Sequence, residues 1–559
     1  MGLAAVAGAL SCAGVVAASG LGLLPVGPVA VAGDSTPAPA PLPSVASAGA
    51  PAPTPSPVPP PTATPTLPPA ALATAVPPPL PTAAPTPTPG PAAAAVDNPD
   101  LRARLEGLLD LPGLPPDADL GVSVIDGAGA VLFDDDAERP LLPASTQKLV
   151  AAAGALAVLG PDHRFTTELR ATAEPDADGV LRGDLVLVGG GDPALATPRF
   201  AELVNPDRPR TPLETLASAV TSAGITRVTG RVIGDPTILP DQPEPTGWLP
   251  RYTERGDGTR SSGLTVDAGR RLFNSDGTFQ STPAADPALQ AAVSLHGLLL
   301  DLDVTIEGEP TAAGTAPHAL VALATVDSPP VGELLRHTVQ RSDNHMADGI
   351  FRAVGMAWND DGTWAGSAAA HPQALEPLEL DWSEAVLADG SGLSRDDRLT
   401  PAFLTGLDAR MTASNFADVW DEVMAVAGES GTLRRRLRGT LVDGLLRGKT
   451  GSLSDVRSLS GSVAGPDGRR YHFAVVGNGL DGEADQAVRL LQDEVALALA
   501  EDLYGCVRVP ILVPGPTPTG GAPGPSDSPV ATTGATPTPV EAGSSGVPLT
   551  DYELSCEAA

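Results

Sequence analysis

Residues 143–148 read Pro-Ala-Ser-Thr-Gln-Lys, and an apolar stretch from Leu149 to Val158 follows them directly. The apolar residues recur at the three- and four-residue spacing of a buried helix. Ser145 and Lys148 are three residues apart at the start of this helix, so both are expected on one side of its first turn. The positive end of the helix dipole lies beside the serine. The stretch therefore predicts a nucleophile and a base held together at a helix start.

The chain uses lysine at only two positions, Lys148 and Lys449, although it has 34 lysines and arginines in total. A bias toward arginine explains most of the basic positions but not where these two exceptions fall. Arginine stays protonated in proteins, whereas a buried lysine can lose its proton. Both lysines lie in short polar motifs, which makes them candidates for proton transfer.

Two further motifs follow in order along the chain, Ser342-Asp343-Asn344 and Lys449-Thr450-Gly451. A serine needs a base before it can attack, and Lys148 can serve if its pKa falls, which a second ammonium such as Lys449 would promote. Ser342 can pass a proton to a leaving amine. Asn344 can hold both Lys148 and a substrate amide.

The third motif offers groups for a substrate. Thr450 and Ser452 present hydroxyls to a carboxylate, and Gly451 lets a peptide backbone approach the strand. The backbone N–H groups of Ser145 and Ser452 are expected to form the oxyanion hole. Taken singly, the motifs could be a helix cap, a turn and a strand start. Their joint occurrence in this order favours an active site.

Histidine and metal chemistry have little support in the sequence. The seven histidines show no metal-ligand spacing such as His-Glu-x-x-His, so we expect no metal and no cofactor. His345 adjoins the second motif and is expected only to pack or to face solvent. The net charge of −33 argues against nucleic acid as a partner.

The three motifs together resemble the active-site signature of penicillin-binding proteins and serine β-lactamases. Ser145 and Ser342 are 197 positions apart, which resembles the long insertion of the low-molecular-mass class C D-Ala-D-Ala carboxypeptidases. Four more segments resemble that family; they are 189–193, 262–267, 388–394 and 428–433. The insertion looks shorter than in many members, so one of the two usual inserted domains is expected to be reduced or missing.

The resemblance implies an α+β fold, with a five-stranded antiparallel sheet beside a helical subdomain and an inserted α/β region. It implies a serine carboxypeptidase that cuts the D-Ala-D-Ala end of peptidoglycan stem peptides, or cross-links made from them, through an acyl-enzyme on Ser145. β-Lactams are then expected to acylate the same serine. The alternatives are a β-lactamase and a non-catalytic peptidoglycan-binding protein.

Composition divides the chain into five expected parts. Residues 1–33 carry no charge after Met1 and end in Ala30-Val31-Ala32, which predicts a signal peptide or a membrane anchor. The rest are a Pro/Ala/Thr-rich linker (34–97), a catalytic domain (98–164 and 323–513), an inserted region (165–322) and a low-complexity tail (514–559). The protein is therefore expected outside the cytoplasm, secreted or membrane-anchored at the cell wall. Cys506 and Cys556 either pair there or stay free.

Local patterns predict elements within the folded part. A helix is expected over 101–109 and another over 485–500, with hairpins at 120–134 and 457–477. Within the insertion, strands are expected over 183–188, 227–233 and 303–308. A hairpin near each end predicts one antiparallel sheet built from both ends of the domain.

Overall fold

The computed structural model describes residues 98–114, 119–275, 278–313, 321–510 and 552–556. The expected signal or anchor (1–33) and the linker (34–97) lie outside these residues, as does most of the expected tail. Among the helices that are described, none has the length and apolar character needed to cross a membrane.

The N-terminal part of the domain holds the elements that the sequence predicts. They are α1 (Pro99–Leu108), β1 (Asp119–Asp126), β2 (Val131–Asp135) and α2 (Lys148–Val158). Asn98 caps α1 by accepting the Leu101 N–H at 3.1 Å, and Pro99 occupies the first helical position, where its missing N–H costs nothing. A short 3₁₀ turn, Ala144–Gln147, precedes α2. The predicted helix over 101–109 and the first hairpin are confirmed.

Over its described residues, the inserted region contains short strands and four α-helices. In chain order they are β3 (Thr166–Ala171), β4 (Val180–Leu181), β5 (Leu185–Val188), β6 (Leu195–Ala196), α3 (Pro198–Leu203), β7 (Thr211–Pro212), α4 (Leu213–Ser222), β8 (Arg227–Val228), β9 (Val232–Asp235), α5 (Pro250–Arg255), β10 (Arg270–Ser275), β11 (Thr278–Pro283), α6 (Pro287–Asp301), β12 (Thr305–Ile306), β13 (Thr311–Ala312) and β14 (Val321–Asp327).

The single strand predicted over 227–233 is wrong, because β8 and β9 belong to different sheets. The predicted strand is interrupted between β8 and β9 at Gly230, which lies close to another part of the backbone. A Cβ at Gly230 would lie 2.5 Å from the Gly183 carbonyl oxygen. The other two predicted strands are confirmed as β5 and β12. β14 pairs with β3 and continues to Asp327, beyond the boundary expected at 322.

Two sheets of the insertion share one core. A five-stranded sheet has the order β13-β9-β5-β3-β14, and a parallel sheet has the order β12-β8-β4. Leu181 and Val228 of the parallel sheet belong to the same buried apolar cluster as Leu185 and Val232 of the larger sheet. Helices α4 and α6 contribute to that cluster as well. Both sheets are therefore stabilised by the same apolar burial.

The remaining elements complete the domain. They are α7 (Val331–Arg341), α8 (Asn344–Asn359), α9 (Trp364–Ala374), α10 (Pro401–Thr412), α11 (Ala417–Val423), β15 (Ala425–Val426), β16 (Leu446–Leu453), β17 (Val456–Ala464), β18 (Arg470–Asn478), α12 (Gly482–Tyr504), β19 (Cys506–Pro510) and β20 (Tyr552–Cys556). The second predicted hairpin is confirmed as β17 and β18. The final helix is confirmed but extends beyond the predicted 485–500 at both ends.

The main sheet is antiparallel, with the order β15-β16-β17-β18-β1-β2. It contains the five expected strands and a sixth of two residues, β15. β1 pairs with β18, for example Val122 with Val475, so both ends of the domain meet in one sheet as predicted. The mixed α/β fold is thereby confirmed.

Helices cover both faces of this sheet. Phe473 and Val475 of β18 pack in a cluster with α1 and α12, whereas the alternate residues Ala474 and Val476 pack with α2, α7, α8 and α10. Side chains of a strand alternate between faces, so a strand covered on both sides carries a continuous apolar run. This layering places the start of α2 beside β16 and β17.

Two of the three cysteines of the chain, Cys506 and Cys556, are bonded to each other. Cys506 in β19 and Cys556 in β20 form a disulfide, and the two strands pair antiparallel. The end of the segment expected as a low-complexity tail therefore forms a strand on the domain. Of the two alternatives for these cysteines, the structure shows the paired one.

Candidate active site

The proposed nucleophile lies in a tight turn between the sheet and α2. Ala144 has a φ of 47°, an uncommon value for a residue other than glycine, so the turn holds backbone strain next to Ser145. Thr146 closes the turn by donating its hydroxyl to the Pro143 carbonyl at 2.7 Å. Ser145 is half-buried, whereas Lys148 is 0% exposed. The turn thus presents the serine to the surface and keeps the lysine beneath it.

Gly451 of β16 allows the turn to lie directly against the sheet. A Cβ at this position would lie 2.7 Å from the Pro143 carbonyl oxygen and 3.0 Å from the Ser145 nitrogen. Ser458 of β17 donates to the same Pro143 carbonyl at 2.6 Å. The space that this glycine leaves is therefore occupied by the Ser458 hydroxyl and by the turn that carries Ser145, which differs from the expectation that a substrate backbone would fill it.

Lys148 is held by three oxygen atoms. Its Nζ lies 3.1 Å from Ser145 Oγ, 2.7 Å from Asn344 Oδ1 and 2.5 Å from the carbonyl oxygen of Ser391. A lysine ammonium has three donors and no acceptor, so these partners account for all of them. If the amine loses one proton, it can accept the Ser145 hydroxyl proton along the first of these contacts.

The second motif forms the junction of α7 and α8. Ser342 ends α7 in the left-handed region with a φ of 59°, and Asp343 caps α8 by accepting the Met346 N–H at 3.0 Å. Asn344, the first residue of α8, uses Oδ1 for Lys148 and donates from Nδ2 to the Asp257 carbonyl at 2.8 Å. One proton of that amide remains for a substrate, as the sequence-based interpretation requires.

The third motif lies on β16. Lys449 is 0% exposed, and its Nζ donates to Ser342 Oγ at 3.1 Å and to the Thr450 carbonyl at 2.6 Å. The Thr450 hydroxyl contacts Thr432 Oγ1 at 2.7 Å, and Ser452 is exposed. The structure therefore brings the three motifs together, with each lysine contacting the second motif.

Burial sets the electrostatics of the two lysines. It lowers the pKa of Lys148 to about 8, although surrounding aspartates oppose the shift. Burial, followed by the charge of Lys148, lowers the pKa of Lys449 well below its usual range. The sequence-based expectation gave repulsion between the two ammonium groups as the cause, whereas burial is the largest cause at both lysines and that repulsion comes second at Lys449.

Sequence reasoning gave no role to the loop 388–394 beyond noting its resemblance to the family. The loop supplies the Ser391 carbonyl that holds Lys148, and its fold depends on the buried carboxylate of Asp389. Four donors meet that carboxylate: Trp248 Nε1 at 2.7 Å, Ser391 Oγ at 3.1 Å, the Gly392 N–H at 2.6 Å and the Ser394 N–H at 2.9 Å. Any residue type can supply a backbone carbonyl, so the sequence does not reveal that Ser391 contacts Lys148. Only the composition of the loop could have indicated a role for it.

Two more buried carboxyls, Asp348 and Asp397, lie near this loop and accept N–H groups from Gly390 at 3.0 Å and from Ala388 at 2.7 Å. Burial, and then the neighbouring Asp389, raises the pKa of both well above the usual range. Both carboxyls therefore favour the protonated form more than an exposed aspartate does.

His345 lies close to the site but is not exposed toward it. It is buried, its Nδ1 lies 2.8 Å from the Thr259 hydroxyl, and burial lowers its pKa to about 4. The ring is therefore neutral at physiological pH. The expectation that this histidine only packs is consistent with these contacts.

Comparison with known proteins identifies a family for this chain. The model of the D-Ala-D-Ala carboxypeptidase 3 (S13) family matches residues 101–279 and 273–499. A D-alanyl-D-alanine carboxypeptidase of Actinomadura sp. (strain R39) is 31% identical over 477 residues, which span 72% of this chain and 85% of that protein. A carboxypeptidase of Mycobacterium tuberculosis is 33% identical over 389 residues, spanning 66% of this chain and 76% of that protein.

Solved structures show the same fold. Penicillin-binding protein 4 of Haemophilus influenzae matches with a TM-score of 0.59 at 20% sequence identity, over 70% of this chain and 99% of that chain. The same protein in complex with a β-lactam matches with a TM-score of 0.56. Since the family model covers most of the described domain and the relatives match most of their own length, the chain belongs to the D-Ala-D-Ala carboxypeptidase 3 (S13) family.

Proposed function

We propose that this chain is a serine D-Ala-D-Ala carboxypeptidase that acts on peptidoglycan stem peptides or on cross-links formed from them. Family membership supports the activity. The observation that carries the assignment to particular residues is the contact of Lys148 Nζ with both Ser145 Oγ, at 3.1 Å, and Asn344 Oδ1, at 2.7 Å. A base lies within reach of the nucleophile and is itself oriented by a third group.

In the proposed acylation, Ser145 Oγ attacks the carbonyl carbon of the penultimate D-Ala while neutral Lys148 takes its proton. The backbone N–H groups of Ser145 and Ser452 receive the developing oxyanion. The carbon–nitrogen bond then breaks, and Ser342, which accepts a hydrogen bond from Lys449, relays the proton taken by Lys148 to the departing amine, so that Lys148 is neutral again. Free D-Ala leaves, and Ser145 holds the rest of the peptide as an ester.

Deacylation repeats these steps with water as the nucleophile. A base in the site takes a proton from water, the water oxygen attacks the ester carbon, and the Ser145 oxygen recovers a proton as it leaves. The products are the shortened stem peptide and the free enzyme. In this scheme, acylation and deacylation both use side chains and backbone groups of the site.

The proposed substrate groove runs along β16. β15 pairs only with Arg447 and Gly448, so within the described residues Lys449–Leu453 has no strand neighbour on that side. An extended peptide can therefore add to this edge through its backbone. The hydroxyls of Thr450 and Ser452 are proposed to receive the terminal carboxylate, with Gly451 keeping the nucleophile's turn close to them.

The proposed location follows from the substrate. Peptidoglycan lies outside the cytoplasmic membrane, and we propose that residues 1–33 direct export or anchor the chain, with 34–97 as a spacer. The catalytic domain (98–164 and 323–513) then carries the insert (165–322) at the cell wall. A Cys506–Cys556 disulfide fits an oxidising compartment.

The test of this function compares two substrates for the purified protein. We expect continuous release of D-Ala from a peptide ending in D-Ala-D-Ala, and none from a matched peptide ending in D-Ala-L-Ala. A chromogenic cephalosporin should instead give one rapid equivalent of product followed by slow turnover, because β-lactams acylate Ser145 and remain.

Other outcomes would identify the alternatives. Rapid, sustained cephalosporin turnover without D-Ala release would identify a β-lactamase. Binding to cell-wall sacculi with neither reaction would identify a non-catalytic binding protein. Either result would overturn the carboxypeptidase proposal.

Lys449→Ala is expected to remove acylation almost completely. The change takes away the donor to Ser342 Oγ, so the hydroxyl that relays the proton loses its orientation. Loss of a general acid–base group typically costs about 10²- to 10⁴-fold in rate. Stopped-flow measurement of cephalosporin acylation checks this, with Arg447→Ala on the same strand as the control. Acylation of Lys449→Ala at the wild-type rate would remove the role assigned to this lysine.

A further inference from the structure

The insertion contacts the catalytic site through a buried arginine. Arg208 lies in the loop between α3 and β7, and its side chain is 2% exposed. Its Nε donates to Asp343 Oδ2 at 2.8 Å, and its Nη2 donates to the Pro193 carbonyl at 3.0 Å. The second contact ties the guanidinium to the insertion, while the first reaches the middle residue of the Ser342-Asp343-Asn344 motif.

Asp343 is fixed from two sides. One carboxylate oxygen accepts from Arg208, and the other accepts the Met346 N–H that starts α8. Burial alone would raise the pKa of Asp343, but the charge of Arg208, with contributions from His337 and the Met346 amide, holds it well below its usual range. The carboxylate is therefore ionised and dependent on its arginine.

The neighbours of Asp343 are the two groups that contact the lysines. Ser342 Oγ accepts from Lys449 at 3.1 Å, and Asn344 Oδ1 accepts from Lys148 at 2.7 Å. Ser342 also holds a left-handed backbone conformation, which the surroundings must maintain. Because Asp343 joins these two residues, a shift of its backbone would move both contacts at once.

We propose that Arg208 is a positioning residue for acylation, acting through Asp343 to hold Ser342 and Asn344 against the two lysines. This inference rests on the proposed roles of those two residues. The insertion is thereby part of the catalytic apparatus: the Asp257 carbonyl that accepts from Asn344 and the Trp248 indole that supports the loop 388–394 belong to it as well. Without Arg208, a buried carboxylate would lack its cationic partner and would reorient or take a proton.

The test separates binding from acylation with a chromogenic cephalosporin under stopped flow. Arg208→Met keeps most of the side-chain volume and removes the charge. We expect its first-order acylation rate constant to fall about 10- to 100-fold, the loss typical of small misplacements of catalytic groups, with an unchanged cephalosporin dissociation constant. Arg208→Lys, which retains the charge but not the planar fork, should recover part of that loss.

The control is Arg210→Met. Arg210 is two residues away in the same loop but pairs with Glu214 inside the insertion, so its loss should leave acylation unchanged. Asp343→Asn removes the ion pair between Arg208 and Asp343 by changing the acidic partner. This variant replaces Arg208→Met in the test if Arg208→Met does not fold. We expect the double variant Arg208→Met, Asp343→Asn to be no slower than the slower single variant.

Three results would overturn the proposal. The first is a wild-type acylation rate constant in folded Arg208→Met or Asp343→Asn. The second is a double variant in which the fold-losses of the two single variants multiply. The third is a change in thermal stability with no change in the acylation rate constant. Failure of the proposed function itself would look different, because the wild-type protein would then either not be acylated or would turn over the cephalosporin without releasing D-Ala from the peptide.

Discussion

Ser145→Ala should abolish D-Ala release. Ser145 Oγ is the atom that forms the acyl bond in the proposed mechanism, and Lys148 is its contact at 3.1 Å. Removal of the nucleophile from a serine hydrolase costs about 10⁶-fold in kcat, leaving only what binding and the oxyanion hole supply. Release of D-Ala from a peptide ending in D-Ala-D-Ala, followed over hours, measures the residual rate.

The matched control is Ser218→Ala. Ser218 is exposed on α4 of the insertion and donates only to its own helix, at the Glu214 carbonyl, so this variant should keep wild-type activity. A folded Ser145→Ala variant that still releases D-Ala within tenfold of wild type would show that another residue is the nucleophile. Unfolding curves of the variants separate loss of chemistry from loss of fold.

Replacing Lys148 by methionine should cause the next largest loss, about 10²- to 10⁴-fold in the acylation rate, because the proposed general base is removed. Lys148→Arg should be equally inactive, since arginine keeps the charge but does not give up its proton. A lysine that served only as a fixed positive charge would be replaced in part by arginine. The comparison of the two variants therefore identifies proton transfer as the function of this side chain.

The pH dependence of wild-type acylation follows from the same lysine. Burial lowers the pKa of Lys148 to about 8, and only the neutral amine can accept the Ser145 proton. The neutral fraction grows as pH rises, so the second-order rate constant for acylation should rise about tenfold per pH unit below 8 and level off above it. A rate that falls with rising pH between 6 and 8 would contradict the assignment of Lys148 as base.

Most of the candidate site could be predicted from the sequence, because the residues that form it act through their side chains and lie in short motifs. Ser145, Lys148, Ser342, Asn344 and Lys449 converge as expected, and the apolar runs of β17 and β18 predicted the hairpin that carries the sheet. Since both faces of that sheet are covered, its central strands have an unbroken apolar pattern that is easy to recognise.

The parts that sequence reasoning missed depend on backbone groups and on distant contacts. Lys148 rests on the Ser391 carbonyl and Asn344 on the Asp257 carbonyl, and any residue type can supply a carbonyl. The Arg208–Asp343 contact joins the insertion to α8, and one sequence alone gives no sign of such a pair. The predicted strand over 227–233 was wrong because Gly230 breaks it by its close approach to Gly183, which is also a tertiary contact.

The most direct test of the central claim is to locate the acyl group. Wild-type protein is treated with benzylpenicillin, digested, and mapped by mass spectrometry. We predict a single penicilloyl group, attached to Ser145 within residues 143–148, and no modification of any other serine. An adduct on a different residue, or an unmodified protein beside intact penicillin, would contradict the account.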